Sequence, residues 1–242
     1  MNSVNFGTDA DMALCRRLPT LLDSIRPLLG AHDPVSSVVP DVLPDRIVEL
    51  TNMIMPLHNQ AWARGDAIDI WDVAGLKSNE GRNSAVLGWL LDPKGTHGWG
   101  ARLLRDVLRL AGDRYPHWPR LDKDLDHVSV VTECWPAGST TERVDIAIDG
   151  DDFVLFIEIK IQAREGEQQL ARYVKVAEAK RQITGKQYGL VLYLSAIAPV
   201  DPPEEVALMT WRDVADILAR FPKSGFNGVI TQQFAQHIQK FY

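Results

Sequence analysis

The chain reads as an α/β protein, with a central mixed β-sheet flanked by helices and a helical region ahead of it. Three stretches predict this. Val144 to Ile148 and Phe153 to Ile161 are apolar runs rich in β-branched and aromatic residues, and Asp149-Gly150-Asp151-Asp152 between them has the composition of a tight turn joining antiparallel strands. An amphipathic stretch from Gly166 to Arg181 then leads into the apolar run Tyr188 to Leu194, the strand-helix-strand order of a right-handed parallel crossover. Upstream, Leu14, Leu18, Leu21, Ile25 and Leu28 recur at helical spacing.

Taken in order, Asp9 to Gly30 predicts one or two amphipathic helices interrupted at Pro19 and Pro27. Residues 31–44, with Pro34, Pro40 and Pro44, form a linker, and Asp45 to Arg64 forms another helix in which Met53, Met55 and Trp62 are packing residues. Ser78 or Asn79 caps a helix carrying Glu80, Ser84, Leu87, Leu90 and Leu91 that stops near Pro93. His97-Gly98-Trp99-Gly100 opens the helix Ala101 to Leu110, with His97 read as fixing a turn by hydrogen bonding. Val128 to Cys134 is the first strand, and Glu133 and Glu142 bracket a Pro/Gly/Ser turn as exposed carboxylates. Met209-Thr210-Trp211 leads into a helix from Arg212 to Phe221, and Gly225 to Tyr242 forms the last one. The organisation expected is a helical region at 1–77, a core at 78–222 and a C-terminal helix at 223–242 packing on that core.

Composition narrows the class. A chain of 242 residues, 45% hydrophobic and 24% charged, builds an ordinary globular core. Cys15 and Cys134 have no metal-ligand spacing and suit a reducing cytoplasm, and the reading is cytoplasmic, without signal peptide or membrane-spanning segment. The net charge of −6 argues against a protein that coats nucleic acid. Its distribution is uneven: residues 1–80 carry 6 basic and 11 acidic side chains, whereas residues 160–186 carry 7 basic and 3 acidic.

A tight turn at Gly150-Asp151 sets Asp149 opposite Asp152 and Asp145 opposite Phe156. Asp145, Glu158 and Lys160 then share one face, because strand side chains alternate and diagonal neighbours lie ~7–8 Å apart. Glu158 and Lys160 interrupt an otherwise apolar strand, and burying either charge alone costs on the order of several kcal/mol. A Glu-x-Lys in a strand is ordinarily a solvated pair on an edge. Here Asp145 precedes it at hairpin distance, Gln169 and Tyr173 follow at i, i+4 spacing, and an acidic helix lies upstream.

The ordered set Asp145, Glu158-Ile159-Lys160, Gln169-Leu170 and Tyr173 resembles the core of the PD-(D/E)XK nuclease superfamily. The likeness extends to a bacterial branch with an upstream segment like Asn79-Glu80-Gly81-Arg82-Asn83-Ser84, then Leu90-Leu91-Asp92-Pro93 and His97-Gly98; Val144 stands where many members have Pro. The resemblance implies a restriction-endonuclease-like sheet and metal-dependent hydrolysis of phosphodiesters, with DNA as substrate and RNA not excluded. It implies Mg²⁺, with Mn²⁺ able to substitute, held by Asp145, Glu158 and the Ile159 carbonyl, and Glu80 joining directly or through water. Lys160 and Gln169 would assist the water or the phosphate, and Tyr173, Arg172, Lys175 and Arg164 would meet the substrate. A homodimer would help to cut both strands, and defence against foreign DNA is the role expected. The competing reading is a non-cutting nucleic-acid-binding or complex-forming protein of the same fold.

Overall fold

The computed structural model describes residues 44–65, 68–116, 118–120, 125–134, 143–162, 169–197, 199 and 201–242. The stretch Asp9 to Gly30, Glu142 and Arg164 therefore lie outside the described residues. Contacts divide the chain into two compact units, Met1–Arg64 and Gly65–Tyr242. In the first, helix α1 (Pro44–Arg64) contains Pro56. Met53, Met55 and Trp62, expected to pack, are instead exposed at 64%, 44% and 70%.

The second unit is an α/β sandwich. In chain order it contains α2 (Ile70–Val73), α3 (Glu80–Leu91), α4 (Arg102–Arg114), β1 (Ser129–Cys134), β2 (Val144–Asp149), β3 (Phe153–Lys160), α5 (Gln169–Thr184), β4 (Tyr188–Ser195), β5 (Val206–Thr210), α6 (Trp211–Leu218) and α7 (Gly225–Ile238), and it ends in a 3₁₀ turn, Gln239–Phe241. The sheet order is β1-β2-β3-β4-β5, antiparallel across the first two pairings and parallel across the last two, so the sheet is mixed. Among the described residues no helix is long and apolar enough to cross a membrane.

Side-chain alternation sorts the central strands onto two covered faces. Leu155, Ile157 and Ile159 of β3 join Leu190, Leu192 and Leu194 of β4 in a core shared with Leu87, Leu104, Trp211 and Phe234 from the helices on that side. Val154, Phe156, Val191 and Tyr193 face the other way and meet Leu170, Tyr173 and Ala177 of α5. On the first face α3 approaches β1 so closely that a Cβ on Gly88 would come within 2.5 Å of Thr132 Cγ2.

Two local expectations are corrected. The β2–β3 ladder pairs Ile146 with Ile157 and Asp149 with Val154, which continues to put Asp145 opposite Glu158 rather than Phe156. The turn is longer than two residues: the Gly150 N–H donates to the Phe153 carbonyl at 2.9 Å, and Lys186 Nζ donates to Gly150 O at 2.6 Å and Asp149 Oδ1 at 3.0 Å. A slip of two leaves every side chain on its expected face. The strand β5 was not foreseen. It lies parallel to β4 after a connection whose described residues form no helix, whereas parallel neighbours usually follow a helical crossover.

Residues 68–77, grouped by sequence with the N-terminal helices, belong to the compact unit of the sheet. Trp71 Nε1 donates to the Ile230 carbonyl at 2.9 Å, and Gln233 bridges Ile68 and Ile70, which fastens α2 to α7.

Candidate active site

Asp145 on β2 and Glu158 and Lys160 on β3 emerge on the face covered by α5. Asp145 Oδ2 accepts the Ile159 N–H at 2.8 Å, which fixes this carboxylate across the hairpin. Glu158 is 2% exposed. Its Oε1 accepts from Lys160 Nζ at 2.5 Å and from Gln169 Nε2 at 2.7 Å. Its Oε2 is buried with no hydrogen-bond partner.

Glu80 arrives from the first turn of α3, which Asn79 caps by accepting the Arg82 N–H at 2.9 Å. Its Oε1 accepts the Ile161 N–H at 2.8 Å, so it meets the end of β3 just beyond Lys160. Trp211 Nε1 donates to the Lys160 carbonyl at 3.0 Å and anchors the same strand end from α6. That anchor was not legible in the sequence, because it depends on where β5 delivers the following helix.

Burial pushes the Glu158 carboxyl up to about 7, and the nearby Asp145 charge pushes the same way against the pull of Lys160. Asp145 is also raised, by burial first, although the Ile159 N–H and Lys160 oppose it. Burial works against the Lys160 ammonium too, but Glu158, Asp145 and Glu80 more than offset it and leave its pKa above the ordinary lysine value.

This donor set fits a hard divalent cation. Two carboxylates face each other across the hairpin, and one oxygen of Glu158 is buried without a donor at hydrogen-bond geometry among the described residues. Among the described residues, no three His, Cys, Asp or Glu side chains already converge on one point. Glu80 is turned to the Ile161 amide.

Gln169 and Tyr173 lie one turn apart on α5, as their spacing predicted. Gln169 Nε2 spends one N–H on Glu158 and the other on Tyr173 Oη at 3.0 Å, and Tyr173 Oη donates to the Arg143 carbonyl at 2.6 Å. Tyr173 is only 3% exposed, with its hydroxyl turned inward on these two partners. Burial and the neighbouring Glu158 raise its phenol well above the ordinary value and keep the hydroxyl a donor. Arg143, two residues before Asp145, contributes through its carbonyl, a backbone partner that no side-chain pattern announces.

The basic strip divides once side chains are placed. Lys180 and Lys186 pair with Asp149, Arg181 pairs with Glu178, and Lys160 pairs with Glu158. Arg172 and Lys175 are exposed on α5. Glu133 lies 3.4 Å from Arg143 Nη1, half exposed. His97 is buried, with Nδ1 accepting the Trp99 N–H at 2.9 Å and Nε2 donating to the Asp92 carbonyl at 2.9 Å, the turn-fixing arrangement expected of it.

A family model described as the PD-(D/E)XK nuclease superfamily matches residues 68–216. No curated protein and no solved structure matches significantly.

Proposed function

Because the chain belongs to the PD-(D/E)XK nuclease superfamily, we propose that it is a metal-dependent nuclease that hydrolyses phosphodiester bonds, with DNA as its substrate. The observation that carries this reading is the buried, partnerless Glu158 Oε2 beside Asp145 and a charged Lys160. A chain that only bound nucleic acid would have no use for two acids held together at the cost of burial.

Asp145, Glu158 and the Ile159 carbonyl are the proposed metal ligands, and Glu80 reaches the site from its outer side or through water. A divalent ion such as Mg²⁺, or Mn²⁺ with similar oxygen ligands, supplies when bound a hard Lewis acid that acidifies water and offsets charge on phosphate oxygens. Lys160, held on Glu158, is placed to orient water and to stabilise the negative charge that develops on the phosphate. Gln169 holds Glu158 Oε1 and so keeps the second oxygen turned to the site. Tyr173 ties α5 to the backbone just ahead of Asp145. Arg172, Lys175 and Arg164 are the proposed phosphate contacts. A cytoplasmic, defensive endonuclease, acting as a homodimer to cut both strands, is the setting in which such a chain would work.

The test is cleavage of plasmid, single-stranded DNA and RNA by the full chain with and without Mg²⁺, beside Asp145→Ala. Metal-dependent cutting by the native chain, lost in Asp145→Ala with binding retained, is the expected result. A native chain that binds all three substrates and cuts none with or without Mg²⁺ would leave the non-cutting binder instead.

A further inference from the structure

A cavity of about 430 Å³ opens at the end of β3, with Ile161 and Gln162 in its wall. The strand ends at Lys160, so Ile161 and Gln162 carry the chain straight from the paired acids into this wall. The other walls come from distant parts of the chain: Lys77 and Ser78 ahead of α3, and His237, Lys240 and Phe241 at the C-terminal end. Among the described lining residues Asp72 is the one carboxylate against two lysines, and Ser78 and Gln162 add neutral donors. The neighbouring catalytic face has the opposite balance, with Glu80, Asp145 and Glu158 against Lys160. A cationic, donor-rich wall next to an acidic one suits a phosphate oxygen, not a second metal ion.

Lys77 has a φ of +45°, a conformation that favours glycine. The structure holds it there by gripping its carbonyl: Asn83 Nδ2 donates to Lys77 O at 3.0 Å, and His237 Nε2 contacts the same oxygen at 3.1 Å and Asn83 Oδ1 at 3.1 Å. Asn83 and His237 are 0% and 3% exposed. Two buried polar side chains thus stabilise a backbone conformation that a glycine would adopt with less strain, yet the position carries a long cation at the cavity.

We propose that this cavity is a phosphate subsite, in which Lys77 and Lys240 hold the backbone phosphate next to the one engaged between Asp145 and Glu158. The assignment rests on the nuclease reading and adds a second point of grip on the strand, which sets its register over the catalytic acids.

The test uses the full chain and its Lys77→Gly and Lys240→Ala variants, both at exposed side chains outside the catalytic set. Labelled single-stranded and duplex oligonucleotides are titrated in EDTA by fluorescence anisotropy over a range of salt, and cleavage is followed separately with Mg²⁺. Each substitution is expected to weaken binding ~3–10-fold, to raise KM with kcat unchanged, and in combination to make the single-strand salt slope shallower by ~0.7. Lys77→Gly should also melt no lower than the native chain, and up to a few degrees higher, ~2–4 °C, because strain is relieved. Unchanged affinity, KM and salt slope in a native chain that cuts would overturn the subsite and leave the nuclease standing. A native chain that binds without cutting would end the nuclease reading, and the affinities of the two variants would still decide the subsite. Neither binding nor cleavage by the native chain would remove both.

Discussion

At Glu158 the two carboxylate oxygens have opposite surroundings, one held by Lys160 and Gln169 and the other buried without a donor. Neutralising the group should therefore separate function from folding. Glu158→Gln is expected to lower cleavage by ~100-fold or more and to abolish the rise in thermal midpoint on adding Mg²⁺, while the metal-free midpoint stays level or increases. Parallel melts with Mg²⁺ and with EDTA check this; a metal-free midpoint that collapses would make Glu158 structural. Tyr173→Phe makes the contrasting case. It removes the hydroxyl that donates to the Arg143 carbonyl and accepts from Gln169 Nε2, so stability should fall by about 1–2 kcal/mol in urea titration, with cleavage weakened but not lost. The face shared by Asp145, Glu158 and Lys160 was legible from period-two alternation alone. The partner of the Tyr173 hydroxyl was not, since it is a backbone carbonyl 30 positions away.

The junction between β5 and α6 shows how an element boundary is held. Thr210 Oγ1 accepts the Asp213 N–H at 3.2 Å, Asp213 Oδ2 accepts the Thr210 N–H at 2.8 Å, and Arg114 of α4 forks onto the same carboxylate. Burial would raise Asp213, but Arg114 and Thr210 more than reverse it, to about 2. A carboxyl depressed below its unfolded value of about 3.9 contributes stability that is complete above that value and is lost as pH falls through 2. Urea midpoints of the native chain and Asp213→Asn should therefore differ at pH 5 and converge towards pH 2, and a gap that stays constant would refute the assignment. Thr210→Ala should cost ~1 kcal/mol at neutral pH, read from the same titrations. The helix from this point was visible in the sequence, but the strand feeding it was not. Five residues after a proline-rich connection carry too weak an alternation, and β5 exists because β4 offers it a parallel edge.

For the whole molecule, contacts place the start of the sheet-bearing unit at Gly65. A fragment 65–242 is expected to unfold in one cooperative thermal transition. A fragment beginning at Ser78 should melt lower, because it loses Trp71 and Leu76 from the core and the Lys77 carbonyl from His237. Equal midpoints for the two fragments would show that residues 65–77 contribute nothing to the fold. What the sequence determined by itself was the order of the elements other than α2 and β5, the face each residue of the hairpin strands takes and the chemistry gathered there, because alternation, helical spacing and turn composition are local properties. Tertiary structure alone decided the turn length that sets Asp145 opposite Glu158, the partners of Tyr173 and Trp211, which lysines are consumed in ion pairs, and the cavity built from both ends of the unit. Those outcomes depend on contacts between residues tens to more than a hundred positions apart, whose energies exist only once the sheet has brought them together.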